Sequence, residues 1–353
     1  MKNILIIGGA GFVGSNLAFK LKNDNYKVTV LDNLVRRGAE NNIPIFKKLG
    51  ISFIHGDTRN KEDINCLDNY DVILDCAAQP SAINYKNPNF DITNNTYGVL
   101  NVLDYCRDRK AGLIFWSTNK CYTGKVCNSV KTKVNKNRLV FDMDQDKFDG
   151  FDAEFGFNEN LTLNGNDHSI YGVSKVMADL MIQEYADAYK IPSICNRFSC
   201  LAGPNQWGKA EQGWMTWFAI ANKLKLPIEV YGFDGLQVRD YLFIDDIYNL
   251  IKKQIENIDN YFGEVFNVGG GNEYSTSIKE AIGLIENNYS KFTDVKYFQE
   301  TRRADQAVYI SDNRKVKKAF NWEPSIKIEQ GYEQIFEWIN QEKTLTILEQ
   351  IYN

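Results

Sequence analysis

A phenol and an ammonium stand four residues apart in Ser169-Ile170-Tyr171-Gly172-Val173-Ser174-Lys175. They open an apolar-periodic run from Val173 to Tyr185, so the spacing predicts one helix face carrying both. A positive charge about 4 Å from a phenol, at an effective dielectric near 20, is worth about 4 kcal/mol, or roughly three pKa units. Such a shift brings a tyrosine from about 10 towards neutrality. A tyrosinate poised near pH 7 can take the proton of a hydroxyl while hydride leaves the same carbon. The spacing alone is common. Tyr248 and Lys252 share it within Ile247-Tyr248-Asn249-Leu250-Ile251-Lys252, where nothing else suggests chemistry. Taken in isolation either pair is a solvated helical pair, and the surrounding elements must decide.

Those elements begin at the N-terminus. The apolar run Ile4-Leu5-Ile6-Ile7 ends in Gly8-Gly9-Ala10-Gly11-Phe12-Val13-Gly14, followed by a helical pattern through Leu17, Ala18 and Leu21. Strand, glycine-rich turn and helix in that order make an anion cradle. Gly8 allows the tight turn, Gly11 lets backbone approach a pyrophosphate, and Gly14 lets helix pack on strand. The helix start, with Phe12 and Val13, presents free N–H groups and a positive dipole. A second strand, Lys27 to Leu31, ends at Asp32, 18 residues after Gly14. A carboxylate there suits the two adenosine ribose hydroxyls and repels a 2′-phosphate, favouring NAD over NADP. Arg36 and Arg37 close by weigh the other way.

Further strands are predicted at Ser52–His55, Val72–Cys76, Leu113–Trp116 and Pro192–Phe198, with a helix between Asn94 and Leu103. Asp57 and Thr58 follow the third strand, where they can reach the adenine edge. Ala77, Ala78 and Gln79 follow the fourth, where small residues let cofactor and backbone meet. Thr118 ends the fifth, with its hydroxyl in the crevice beyond the strand ends. This alternation predicts an α/β chain: a Rossmann-type doubly wound parallel sheet with a smaller α/β C-terminal substrate lobe. The boundaries expected are 1–199 for the nucleotide-binding domain and 200–353 for the second lobe. The strand at 192–198 is expected to complete the first. A polar insertion at about 123–168 is long for a connection. It reads as a folded-over loop or hairpin near the site, a lid, or an oligomer contact. In the second lobe a helix is expected at Ala219–Lys225 and a strand at Ile228–Tyr231. Arg239 and Arg302 stand in apolar settings and suit bidentate diphosphate binding, with an Arg239–Asp240 structural pair as the alternative.

Composition sets outer limits. The 353 residues exceed one minimal core, and the net charge of −4 gives no reason to expect nucleic acid or an anionic membrane as partner. Seven cysteines without a C-x-x-C pair, and only two histidines, His55 and His168, do not make a metal-site inventory or a disulfide framework. Reduced thiols in a cytoplasm fit best. The first apolar run is too short for a signal peptide, and none approaches the ~18 residues of a membrane span.

Collected, these residues resemble the extended short-chain dehydrogenase/reductases, the nucleotide-sugar epimerase and dehydratase group. The resemblance rests on Gly8–Gly14, Asp32, Asp57, Ala77-Ala78, Asn95, Ser117–Gly124, Tyr171-Gly172-x-Ser174-Lys175, Gly203-Pro204, Val238-Arg239-Asp240-Tyr241, Asn267-x-Gly269 and Trp322-x-Pro324, spread over nearly the whole chain. It implies that Tyr171 is the acid/base, that Lys175 lowers its pKa and binds the nicotinamide ribose, and that Thr118 holds the reacting oxygen. Gly8, Gly11, Phe12, Val13, Gly14, Asp32, Asn33, Arg36, Asp57, Thr58, Ala77, Ala78, Gln79 and Asn95 would bind NAD, with Asn95 ordering the site. Gln79, Asn119, Lys120, Cys200, Gln206, Gln212, Gly213, Arg239, Arg302 and Asp305 would face a CDP- or other NDP-sugar, the two arginines clamping its diphosphate. Cys200 stands where many members carry asparagine or serine.

Within the group, Asp32-Asn33-Leu34-x-Arg36, Ser117-Thr118-Asn119-Lys120, Gln212-Gly213-Trp214 and Asp305-Gln306 are most similar to enzymes that invert C2 of a CDP-3,6-dideoxyhexose. Sugar 4,6-dehydratases resemble one another in a Thr-Asp-Glu where this chain has Thr118-Asn119-Lys120. Without that acid pair, oxidation and re-reduction remain. The expected activity is epimerisation by a soluble homodimer or homotetramer. A 4-epimerase or a sugar-nucleotide reductase of the same family stays open, as does a non-catalytic dinucleotide-binding protein.

Overall fold

The computed structural model describes residues 2–80 and 87–352. Its centre is a parallel sheet of seven strands: β1 (Asn3–Ile7), β2 (Lys27–Asp32), β3 (Ser52–His55), β4 (Val72–Asp75), β5 (Gly112–Thr118), β6 (Ser193–Phe198) and β7 (Phe262–Val268). The spatial order is β7-β6-β5-β4-β1-β2-β3. The order reverses between β1 and β4, which opens a crevice at the carboxyl ends of the strands.

Both faces of the sheet are covered, as its continuous apolar strands require. Ile4, Ile6, Val30, Leu74 and Ile114 point to one face and meet the helices Phe12–Asn23 and Ile244–Asn257. Leu5, Ile7, Leu31, Ile73, Leu113 and Phe115 point to the other, against the helices Gly98–Arg109 and Ser169–Tyr189. The period-two alternation therefore fixes which side the Tyr171 helix lies on. Each such aliphatic side chain, fully buried, contributes about 1.5–3 kcal/mol.

The second lobe has its own core. The helices Trp214–Leu224, Ile278–Asn288 and Ile328–Ile339 enclose Phe218, Val230, Phe243, Ile285 and Phe336. Its first helix starts at Trp214, five residues before the expected Ala219. The strand at Ser193–Phe198 does not complete the sheet: β7 pairs beside it from beyond residue 199. The Ile244–Asn257 helix, β7, the Arg314–Phe320 helix and Trp322 also join the first core. Trp322 donates to the Asp246 carbonyl at 3.1 Å, which ties that returning segment down.

The insertion is a structural bracket rather than a lid. It folds into two hairpins, Thr132–Asn135 with Arg138–Phe141 and Phe151–Asp152 with Gly156–Phe157. Phe141, Phe151, Phe157 and Leu161 form a core with Val238, Val308 and Tyr309. None of residues 123–168 lines the crevice at the strand ends.

Candidate active site

At the strand ends lies a cleft of about 460 Å³, lined from Gly8 and Asp57 at one extreme to Tyr231 and Arg302 at the other. Gly8 turns with φ +68°, and a Cβ there would lie 2.7 Å from Ala77 Cα. Gly11 lines the cleft and caps the Phe12–Asn23 helix without any side-chain bond, so the first N–H groups remain open. Phe12 and Val13 also line it. Gly14 does not: it is buried where helix crosses strand, with room for no Cβ beside the Gly8 carbonyl.

Asp32 ends β2 with its carboxylate held by the N–H groups of Ala10 at 2.9 Å and Leu34 at 2.8 Å. Burial raises its pKa, and those two amides oppose the rise. Asn33 donates to Asp57 at 2.9 Å, and Arg59, the main cause, holds the Asp57 carboxyl far below the usual range. Asp32, Asn33, Asp57 and Thr58 thus form one edge of the cleft. Of the two arginines nearby, Arg36 lines the cleft and Arg37 does not. Arg36 donates to Gln212 at 2.5 Å, and Arg37 to the Gln350 carbonyl at 2.7 Å. Ala77 and Ala78 line the floor.

Tyr171, Lys175 and Thr118 all line the middle of the cleft. Gly172 makes this possible: a Cβ there would sit 2.4 Å from the Lys120 carbonyl, so only glycine lets the helix press against the turn after β5. Thr118 is the hydrogen-bonding side chain that favours ionised Tyr171, but burial, the larger effect, pushes the phenol well above its usual value. The sequence leads one to expect that Lys175 lowers this pKa. Its Nζ donates to the Trp116 carbonyl at 2.8 Å and lies 4.4 Å from the Phe115 ring centroid, and it is not among the groups acting on Tyr171. Helical spacing places both residues on one face but does not aim one head group at the other. Tyr248 and Lys252 instead pair with the surface carboxylate of Asp24.

Asn95 and Gln79 do not line the cleft. Asn95 sits in a π-helical turn, Thr93–Tyr97, fully buried. It accepts from the Gln79 N–H at 2.7 Å and donates to the Gln79 carbonyl and the Ser174 hydroxyl, both at 3.0 Å. Its place is to lock the end of β4 to the Tyr171 helix, and the wide π turn turns its side chain inward.

At the far end, Asn119, Lys120, Cys200, Gln206, Gln212, Gly213, Arg239, Arg302 and Asp305 all line the cleft. Arg239 pairs with Asp305 at 2.6 Å, not with Asp240, which accepts from Ser199 and the backbone of Gly271 and Ser311. Lys120 donates to the Ala304 carbonyl at 3.0 Å and lies 3.9 Å from Asp305. Arg302 stacks 4.5 Å over Tyr231. Two cations thus share one carboxylate, leaving net positive charge beside Arg302. Tyr231 and Gln237 are lining residues that sequence reasoning passed over. Tyr231 follows the alternation of Ile228 and Val230 and so was legible as a surface position; Gln237 carries no such signal.

Asp91 was also passed over. It is inaccessible to solvent, and neither carboxyl oxygen has a hydrogen-bond partner among the described residues. Burial pushes it up to about 6, and it opposes ionisation of Tyr171. A raised carboxyl pKa means the folded chain keeps a proton that the unfolded chain releases, so stability falls as pH rises through about 4 to 6. Asp91→Asn is therefore expected to raise Tm by at least about 2 °C at pH 8 and leave it unchanged at pH 4. Equal effects at both pH values in thermal melts would count against a costly buried charge.

Among the described residues no group of histidine, cysteine or acidic side chains could hold a metal, and no helix is long and apolar enough to cross a membrane. The open helix N-terminus, the close-packed Gly8 turn and the Asp32 carboxylate fit a dinucleotide.

Comparison with known proteins agrees. The model of the NAD dependent epimerase/dehydratase family matches residues 4–269. CDP-paratose 2-epimerase of Salmonella typhi is 31% identical over 350 residues, covering 95% of this chain and 98% of that protein. The structure of Pal from Bacillus thuringiensis matches with a TM-score of 0.78 and 26% identity over 97% of this chain and 99% of its own. That of dTDP-glucose 4,6-dehydratase from Bacillus anthracis, in complex with NAD, matches with 0.75 and 26% over 98% and 100%. From the crevice, its cradle and these relatives, the chain belongs to the NAD dependent epimerase/dehydratase family.

Proposed function

We propose that this protein is an NAD-dependent nucleotide-sugar epimerase that inverts C2 of a CDP-3,6-dideoxyhexose, acting as a CDP-paratose 2-epimerase. The observation that carries the reading is the meeting of the Thr118 hydroxyl and the Tyr171 phenol in a cleft that runs on to Arg239 and Arg302. Bound NAD supplies a reversible hydride acceptor. Tyr171 removes the C2 hydroxyl proton and later returns it, while Thr118 holds the oxygen. Lys175 would hold the nicotinamide ribose. Arg239 and Arg302 grip the diphosphate as the keto-sugar turns its other face.

Asn119 and Lys120 follow Thr118, so an acid pair for elimination of water is missing at that place. This supports oxidation and re-reduction over dehydration. The relative at 31% identity supports the CDP-sugar. The reading includes a cytoplasmic homodimer or homotetramer. All seven cysteines are free. Val173, Met177 and Leu180 expose an apolar stripe on the Tyr171 helix beside Tyr97, a surface that a second copy would cover.

The test is incubation with CDP-paratose and a panel of other sugar nucleotides in D₂O, without added cofactor. Inversion at C2 of the CDP-sugar is expected, with no deuterium at the inverted carbon and NAD(H) retained through purification. Deuterium at that carbon, or stoichiometric demand for added NADH, overturns the reading.

A further inference from the structure

We propose that Asp75 is a positioning residue for Lys175: a buried carboxylate beneath the crevice that keeps the lysine an ammonium. The inference rests on the catalytic reading above and adds a residue to it.

The strand register carries the argument. Asp75 ends β4 and pairs with Phe115 on β5. Paired positions on neighbouring strands put their side chains on the same face, with the strands about 4.8 Å apart. Lys175 reaches that face from the helix above, with its ammonium 4.4 Å from the Phe115 ring centroid and bonded to the Trp116 carbonyl. Asp75 and the Lys175 ammonium are therefore both neighbours of Phe115 on one face of the sheet. Both residues are 1% exposed. Asp75 receives one backbone N–H, from Ala77 at 3.1 Å.

A buried charge with so little local help is costly unless an opposite charge compensates. Burial depresses Lys175 and Asp75 opposes the fall; burial raises Asp75 to about 6 and Lys175 opposes the rise. The other titratable groups around the pair are thiols: Cys76 just after β4, Cys106 on the Gly98–Arg109 helix, Cys121 after β5 and Cys195 on β6. Burial pushes all four up, so they stay neutral. Asp179 and Arg197, which lie next to Cys121 and Cys195, neutralise one another. Asp75 is left as the anion that acts on Lys175.

The test is Asp75→Asn in the cofactor-loaded enzyme. The alkaline limb of kcat, where Lys175 loses its proton, is expected to move to lower pH by about one unit, a roughly tenfold loss on that limb. KM should stay near its wild-type value, and Asp75→Glu should restore the profile. Lysine ¹³Cε NMR reads the same point without turnover: the Lys175 midpoint should fall in Asp75→Asn. If that variant does not fold, the wild-type Lys175 signal should still show a step as Asp75 titrates near pH 6, and its absence overturns the inference. A Lys175 titration unmoved by Asp75→Asn also overturns it and leaves the catalytic reading standing. Full activity of a Tyr171→Phe variant defeats that reading whatever Asp75 does.

Discussion

Tyr171→Phe is expected to lower kcat about a thousandfold, with KM changed by no more than a few fold, because it removes the proton acceptor of the oxidation step. The phenylalanine ring fills the same buried space, so thermal stability and NAD content should survive. The loss must then come from the oxygen. Steady-state kinetics on the CDP-sugar, beside a melt and a cofactor assay, separate these outcomes. Retention of more than about a tenth of kcat would remove Tyr171 from the mechanism. The structure adds a pH dependence. Burial holds the phenol protonated, and Asp91 works in the same direction, while Thr118 works against both. The positive nicotinamide ring of bound NAD would draw the phenol back down, so wild-type kcat should climb with pH on its acid side, and the residual rate of Tyr171→Phe should lack that climb.

Asp179→Ala should destabilise the fold by about 3–5 kcal/mol, the cost of stranding a buried partner charge. Asp179 lies on the face of Tyr171 and Lys175, at i+8 and i+4. Its carboxylate takes two bonds from Arg197, at 2.8 and 3.1 Å, and others from Ser117 and Gln183. Arg197 and Asp179 are 4% and 0% exposed at the side chain, so water cannot replace the lost partner. Arg197 continues to the Tyr122 hydroxyl at 3.0 Å, and Tyr122 donates to Asn267 at 2.8 Å. This chain ties the Tyr171 helix to β6, the turn after β5 and β7. Urea titration of Asp179→Ala and of Asp179→Leu with Arg197→Met should show the double variant recovering much of the loss, since an apolar pair strands no charge. If the single variant melts with wild type, the pair contributes nothing.

Local order explains what could be read in advance. The strand–glycine–helix start, Asp32 at the end of β2 and the small residues after β4 are contiguous features, and their chemistry is set within a few residues. The far-end cluster was legible through Arg239 and Arg302 because charges in apolar settings need a reason, and through Lys120 and Asp305 by the resemblance alone. The partners were not legible: Arg239 chose Asp305 across 66 positions and ignored its neighbour Asp240. The seventh strand escaped because a parallel neighbour can join from anywhere in the chain. The insertion could be read as a loop or hairpin but its place could not, because the residues its phenylalanines pack on, Val238 and Tyr309, come from the other lobe.

By itself the sequence determined the nucleotide cradle, the alternation of strands and helices, and which residue types the cleft would hold, because periodicity and turn chemistry act over short spans. Only the tertiary structure decided where the Lys175 ammonium points, what stands beside it and which carboxylate keeps Arg197 buried. Those outcomes depend on which faces meet across the sheet, and head groups on long side chains settle by solvation and charge partners that no spacing records.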